Sequence, residues 1–163
     1  MSREPEVVLR RAREDEAETL AAASTRAFDS DLAEGAPGPG GPPGYSSPVW
    51  QREAMGWGRY YAVVVERQLV GGAIVVDKGS GHCHLARIFL DPPWHRRGIG
   101  RRVVALLDET YPQARRWTLD TPVWNRRTRA FYEALGFVDV GRLPTSAGFE
   151  LVLYERRAES PGG

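Results

Sequence analysis

Residues 88–102 carry the strongest chemical signal in this chain. An apolar run, Ile88-Phe89-Leu90, stops at Asp91-Pro92-Pro93. A basic turn with two glycines follows, Trp94-His95-Arg96-Arg97-Gly98-Ile99-Gly100-Arg101-Arg102, and then an amphipathic segment with Val103, Val104, Leu106 and Leu107. The pattern is strand, turn, helix. Free backbone N–H groups and the helix dipole make such a helix N-terminus a seat for a phosphate. Gly98 and Gly100 lack a Cβ and let the backbone approach a bulky anion. Arg96, Arg97, Arg101 and Arg102 can add charge-assisted hydrogen bonds. A P-loop would need a following Lys and Ser/Thr, which are missing, and a dinucleotide fingerprint would need a third glycine near Val103.

A second constellation lies about 25 residues downstream. Arg116-Trp117-Thr118-Leu119-Asp120-Thr121-Pro122 reads as a short strand ended by proline. Asn125 is a suitable N-cap. Ala130, Phe131, Ala134 and Leu135 fall on one helical stripe, and Gly136 stands where a glycine ends a helix. A lone strand-borne pair, His82 and His84, shares one face by the two-residue period.

Taken in order, the two segments resemble the GNAT superfamily (GCN5-related N-acetyltransferases). Leu90-Asp91-Pro92 is similar to the Val-x-Pro strand end of that family. His95-x-x-Gly98-x-Gly100 is similar to its Gln/Arg-x-x-Gly-x-Gly/Ala loop, with His95 as the departure. Asn125 followed by Tyr132-Glu133-Ala134-Leu135-Gly136-Phe137 matches the Asn…Tyr-x-x-x-Gly-Phe motif. The motifs cover about residues 84–140.

The resemblance implies an α/β (α+β) GNAT fold: a central mixed, mostly antiparallel sheet of about seven strands, flanked by about four helices and splayed between the fourth and fifth strands. It implies acetyl-CoA as co-substrate and an acetyltransferase that moves the acetyl group to a primary amine of a small molecule by direct attack. A protein N-terminus or lysine, and a non-catalytic acyl-CoA sensor, are the alternatives. Phe89 and Leu90 would bind the pantetheine arm and acyl carbonyl through the backbone. His95, Arg96, Arg97, Gly98, Ile99, Gly100 and Arg101 would hold the pyrophosphate, and Asn125 the pantetheine arm. Tyr132 would face the CoA sulfur; a phenol titrates near 10 and can protonate the leaving thiolate.

Many relatives carry a Glu on the strand before the loop, and counting back six from Leu90 reaches His84. A neutral imidazole suits the task of accepting an amine proton. His84 is the first expectation for the general base and His82 the second. Glu53, Asp29, Asp120, Glu150 or a water remain open for that role. His82-Cys83-His84 is too compact and isolated for a zinc site, and no metal is expected.

The chain has 163 residues, enough for a single domain over 1–163 with an ordered core of about 6–156. Lys and Arg number 22 against 21 Asp and Glu, a formal charge of +1. That balance gives no nucleic-acid footprint. One cysteine, Cys83, cannot form an internal disulfide and reads as a small core residue in a cytoplasmic protein. No membrane segment is expected, and a homodimer is possible by analogy with relatives.

The elements that must position these residues follow from pattern. Val7–Arg10 reads as a strand. Asp15–Phe28 reads as a helix with Leu20, Ala23, Ala27 and Phe28 inward. In residues 35–48, ten of fourteen are Gly or Pro, which holds neither helix nor ladder; this is a surface loop or a flap over the acceptor. A short helix is expected at Pro48–Met55, a hairpin at Tyr60–Glu66 and Leu69–Asp77, and a strand at His82–Leu90. The loop helix spans about Gly98–Thr110. A strand at Trp117–Asp120, a helix at Asn125–Leu135 and a closing pair at Phe137–Arg142 and Phe149–Glu155 complete the chain. Tyr45, Trp50, Trp57 and Trp124 are candidate acceptor walls.

Overall fold

A computed structural model describes residues 6–38 and 40–158. Seven strands, β1 (Val7–Arg11), β2 (Arg59–Val65), β3 (Gln68–Asp77), β4 (His82–Leu90), β5 (Arg116–Pro122), β6 (Val138–Pro144) and β7 (Glu150–Arg157), form one sheet in the order β1-β2-β3-β4-β5-β7-β6. The four helices are α1 (Ala17–Asp29), α2 (Pro48–Trp57), α3 (Ile99–Thr110) and α4 (Arg126–Ala134). This is the mixed, mostly antiparallel architecture expected from the sequence, and the element ends fall within a few residues of those expected. Two short 3-10 turns, Glu14–Glu16 and Ser30–Glu34, bracket α1.

Each helix covers the sheet with the face its sequence pattern dictates. Ile99, Val103 and Leu107 of α3 and Tyr132 of α4 join Val63, Val75, Cys83, Leu85, Trp117 and Leu119 in a core on one side of the sheet. Leu20, Ala23 and Ala27 of α1 and Ala54 of α2 pack with Tyr60, Ile74 and Phe89 on the other. Cys83 is buried as expected. The stripe expected for α4 needs correction. Ala130 and Ala134 face solvent, and the inward residues are Thr128, Phe131, Tyr132 and Leu135. Thr128 can turn inward because its hydroxyl pairs with that of Thr121 at 2.7 Å, so a polar group is buried without losing its hydrogen bond.

Two irregularities position the site. β4 and β5 run parallel but pair only through His82–Arg116, Cys83–Trp117 and His84–Thr118. Beyond His84 the strands part, with β4 continuing to Leu90 and β5 to Pro122. The second irregularity is a register shift in the β3–β4 ladder, where Ile74 faces Arg87 and Val75 faces Leu85. One extra β4 residue is accommodated there, a β-bulge. Strict alternation would put His84 and Arg87 on opposite faces. The bulge brings Arg87, like His84, to the face covered by α1 and α2.

Candidate active site

The fork between β4 and β5 opens into a cleft of about 330 Å³. Its walls include Ala27, Phe28 and Asp31 from the α1 side, Ile88, Phe89 and Leu90 from β4, Trp94 to Arg101 except Arg97 from the glycine loop, and Arg127, Thr128, Phe131 and Tyr132 from α4. The loop residues His95, Arg96, Gly98, Ile99, Gly100 and Arg101 are therefore gathered on one wall together with Tyr132. Arg97 is set apart, its guanidinium 5.1 Å from the Trp94 ring centre. Asn125, His82 and His84 do not line the cleft.

Glycine is favoured at position 98 because the backbone there is left-handed, φ +76°. Arg96 also has φ +62°, so the loop reverses twice before α3 starts. The first backbone bond of the helix runs from the Arg102 N–H to the Gly98 carbonyl at 3.1 Å. The N–H groups before it, at the positive end of the dipole, remain available to an anion. A Cβ on Gly98 would meet no protein atom within 4 Å; the space beside it is open. Arg96 and Arg101 form no ion pair among the described residues and add unneutralised positive charge. An acidic pyrophosphate fits this wall in shape and in sign.

The backbone of β4 divides its hydrogen bonds between two edges. The Asp91 N–H reaches back to Val70 of β3 at 2.7 Å. A Cβ on Gly71 of β3 would lie 2.1 Å from the Phe89 carbonyl oxygen, so that carbonyl also turns toward β3. By alternation Ile88 and Leu90 direct their N–H and C=O groups toward the fork. Phe89 also lines the cleft, with its carbonyl turned to β3 and its ring packed near Phe28.

His95, the departure from the family loop, ties this edge to α4. Arg127 Nη1 lies 3.1 Å from His95 Nδ1, and His95 Nε2 lies 2.7 Å from the Leu90 carbonyl oxygen. A guanidinium only donates, so Nδ1 accepts and Nε2 carries the hydrogen that Leu90 receives. Burial lowers the His95 pKa, the Leu90 bond opposes this, and the Arg127 charge lowers it further. Arg127 also donates to Asp31 at 2.9 Å. Asn125, buried, spends its side-chain oxygen on the Thr128 N–H at 3.1 Å as the N-cap of α4.

Tyr132 is packed by Phe131, Phe137 and Tyr154, with ring centres 5.2, 5.8 and 6.2 Å away. Burial pushes its phenol pKa well above the ordinary value, and the nearby Asp120 charge adds to the rise. The hydroxyl is a proton donor across the physiological range.

At the fork itself, His82 Nε2 and His84 Nδ1 both reach the Thr118 hydroxyl, at 2.7 and 2.8 Å. Burial is the first cause that lowers the pKa of each imidazole. For His84 the Asp120 carboxylate opposes this, while Lys78 and His82 reinforce it. For His82, Arg116 and Lys78 reinforce it and Glu155 opposes it. Both rings are thus neutral bases at pH 7. Asp120 sits on the same face with its own pKa raised by desolvation, against the pull of His84 and Arg87.

Thr118, Arg127 and Arg87 were not singled out by the sequence. Thr118 stands 34 residues from His84 in sequence, and only the parallel register joins them. Arg87 stacks over Trp50 at 3.9 Å and donates to the Pro43 carbonyl at 2.6 Å. Burial lowers its pKa to about 10. This contact fastens the Gly/Pro-rich segment to β4, and Tyr45 adds a hydrogen bond to Asp29 at 3.2 Å. Among the other aromatics, Trp57 is exposed and packs on Trp50, and Trp124 packs on Phe149. Among the described residues, no group of three or more His, Cys, Asp or Glu side chains could hold a metal ion, and no helix is long and apolar enough to cross a membrane.

A splayed mixed sheet with a glycine-loop helix at the fork is the architecture of an acyl-CoA-dependent acyltransferase. The chain belongs to the acetyltransferase (GNAT) family, whose sequence pattern matches residues 10–137, and is an acetyltransferase enzyme. It is similar in fold to the PaiA N-acetyltransferase of Thermoplasma acidophilum, solved in complex with coenzyme A: TM-score 0.74, 14% identity, 94% of this chain and 99% of that one. It is equally similar to the ribosomal-protein-S18-alanine N-acetyltransferase of Escherichia coli: TM-score 0.74, 17% identity, 96% of this chain and 97% of that one. Among curated sequences, the uncharacterized protein YrkN of Bacillus subtilis is 29% identical over 73 residues, 44% of this chain and 40% of YrkN. The match thus spans less than half the length of that relative.

Proposed function

We propose that this protein transfers the acetyl group of acetyl-CoA to the primary amine of a small molecule by direct attack. The observation that carries the reading is the continuity of the cleft. It runs from the left-handed Gly98 turn and the free N–H groups of α3, along the β4 edge, to the Tyr132 phenol.

Acetyl-CoA, when bound, supplies the activated thioester. The N-terminus of α3, with Arg96 and Arg101, holds the pyrophosphate. The fork-facing backbone of Ile88 and Leu90 holds the pantetheine arm and polarises the acyl carbonyl; a donor so aimed is worth several kcal/mol, roughly 2.7–4. Leu90 is held in register by His95. Tyr132 donates its phenolic proton toward the departing sulfur. His84, neutral and at the point where the strands part, accepts the proton from the amine. Asn125 acts by starting α4 and so placing Tyr132, and its side chain also pairs with Asp31 at the mouth of the cleft.

A small acceptor is supported by the segment 40–47, which Arg87 and Tyr45 hold against β4 and α1, on the face that carries His84. This narrows the acceptor side instead of leaving an extended peptide groove. The test is calorimetric titration with acetyl-CoA, followed by a thiol-release screen over small amines and over peptides with free N-termini. Binding together with release on a small amine is the expected result. Release only on peptides would replace the acceptor class, and binding without release on any amine would favour a sensor. No binding would overturn the reading.

A further inference from the structure

We infer that His84, Thr118 and His82 form a proton relay that carries the acceptor's proton from the fork to the solvent end of β4. The inference rests on the function proposed above and adds two residues, Thr118 and His82, that act through His84.

The geometry restricts the arrangement. Among the described residues the two imidazole nitrogens are the only hydrogen-bond partners of the Thr118 hydroxyl. Its oxygen could accept from both rings, but its one hydrogen would then be left without an acceptor, so Thr118 donates to one imidazole and accepts from the other. The two contacts, 2.7 and 2.8 Å, use different ring nitrogens, Nε2 of His82 and Nδ1 of His84. If Thr118 donated to His84, the hydrogen of neutral His84 would lie on Nε2, and this ring could not accept from an amine. Only the opposite direction leaves a free lone pair: His84 Nδ1–H donates to Thr118, and Thr118 O–H donates to His82 Nε2. His84 Nε2 has no other hydrogen-bond partner among the described residues.

The transfer balances in that direction. The amine nitrogen gives its proton to His84 Nε2. The Nδ1 hydrogen of His84 passes to Thr118 Oγ1, the Thr118 hydrogen passes to His82 Nε2, and His82 releases its Nδ1 hydrogen to water. His82 is suited to the last step. It opens β4 directly after the exposed turn at residues 77–80, to which it is bonded by the His82 N–H to the Gly79 carbonyl at 3.0 Å. Return to the starting hydrogens requires only that the rings exchange protons with water between turnovers.

The relay makes a structural demand that is independent of turnover. Both neutral rings carry hydrogen on Nδ1, the minority form of a free imidazole. Nitrogen-15 NMR of the labelled, full chain reads this directly. The expected result is Nδ1–H for His82 and His84, with reversion toward Nε2–H in Thr118→Val and retention in Thr118→Ser. A His84 carrying hydrogen on Nε2 overturns the relay, whatever the enzyme's acceptor. In the acetyl-transfer assay, Thr118→Val lowers kcat about tenfold or more with acetyl-CoA affinity unchanged, and Thr118→Ser restores it. His82→Ala lowers kcat likewise, and added imidazole recovers it. An unchanged kcat in both Thr118→Val and His82→Ala overturns the relay while leaving the acetyltransferase intact. If Thr118→Val fails to fold, His82→Ala and the wild-type tautomers decide alone.

Discussion

Asp31 and Arg127 stand 96 residues apart in sequence and meet at 2.9 Å across the mouth of the cleft. Arg127 spends a second nitrogen on His95, so one side chain joins the 3-10 turn after α1, the glycine loop and the start of α4. Desolvation raises the Asp31 pKa despite the pairing, with Arg127 opposing. The carboxylate is therefore an expensive group to leave alone. Arg127→Ala should destabilise the fold by ~1–3 kcal/mol in urea unfolding, the range for a buried polar group that loses its partner. Adding Asp31→Asn should recover part of that loss, as expected of coupled neighbours. Strict additivity of the two changes would show that the contact is not energetically real.

Gly98 tests the phosphate wall. Its φ of +76° is disfavoured for other residues, and the space beside it is open. Left-handed backbone costs about 1–2 kcal/mol for an ordinary residue, and a β-branched side chain would also fill the space above the helix N-terminus. Gly98→Val should weaken acetyl-CoA binding at least ~10-fold by titration calorimetry, whereas Gly98→Asn, which tolerates this conformation, should bind more tightly than the valine variant.

Tyr132→Phe removes one oxygen and leaves the ring among Phe131, Phe137 and Tyr154. Folding and acetyl-CoA affinity should stay near wild type while kcat falls about 100-fold, within the range for loss of a positioned proton donor. Equal turnover in the two proteins would remove Tyr132 from the chemistry.

Glu16 gives a pH test of stability away from the cleft. Arg10 bonds both its oxygens, at 2.8 and 2.6 Å, and the Arg13 N–H adds a third bond at 2.9 Å. The Arg10 hydrogen bonds hold the carboxyl at about 2 instead of 4.5. Folding therefore favours the ionised form. The contribution is complete above pH 4.5 and is lost as the pH falls toward 2. The pair is partly exposed, and solvent screening limits it to ~1 kcal/mol. Glu16→Gln should be less stable than wild type by about that amount at pH 7, and the difference should close on acidification below pH 4.5.

Much of the site was legible because its signals are local. Gly98 and Gly100 before an amphipathic run announce a helix N-terminus, and Asn125 announces another, because capping depends on neighbours in sequence. The inward face of α4 is not legible in the sequence, because hydrophobicity alone ranks Ala130 and Ala134 above Thr128; the Thr121 hydroxyl that makes Thr128 acceptable inside comes from another element. The bulge in β4 was equally hidden. It arises from how β3 pairs with β4, and strand alternation by itself would have turned Arg87 away from His84.

The amino-acid order by itself thus determined the element sequence, the glycine turn, the caps, and Tyr132 and His84 as residues worth naming. These depend on backbone conformations and periodicities set within a few residues. Only the tertiary structure decided that His82 and His84 share the Thr118 hydroxyl, that His95 holds Leu90 under the hand of Arg127, and that Arg87 pins the Gly/Pro-rich segment. Each of those contacts joins residues from different elements. Hydrogen bonds between them require the parallel register of β4 on β5 and the packing of α4 beside the fork, and neither is encoded in any short stretch of the chain.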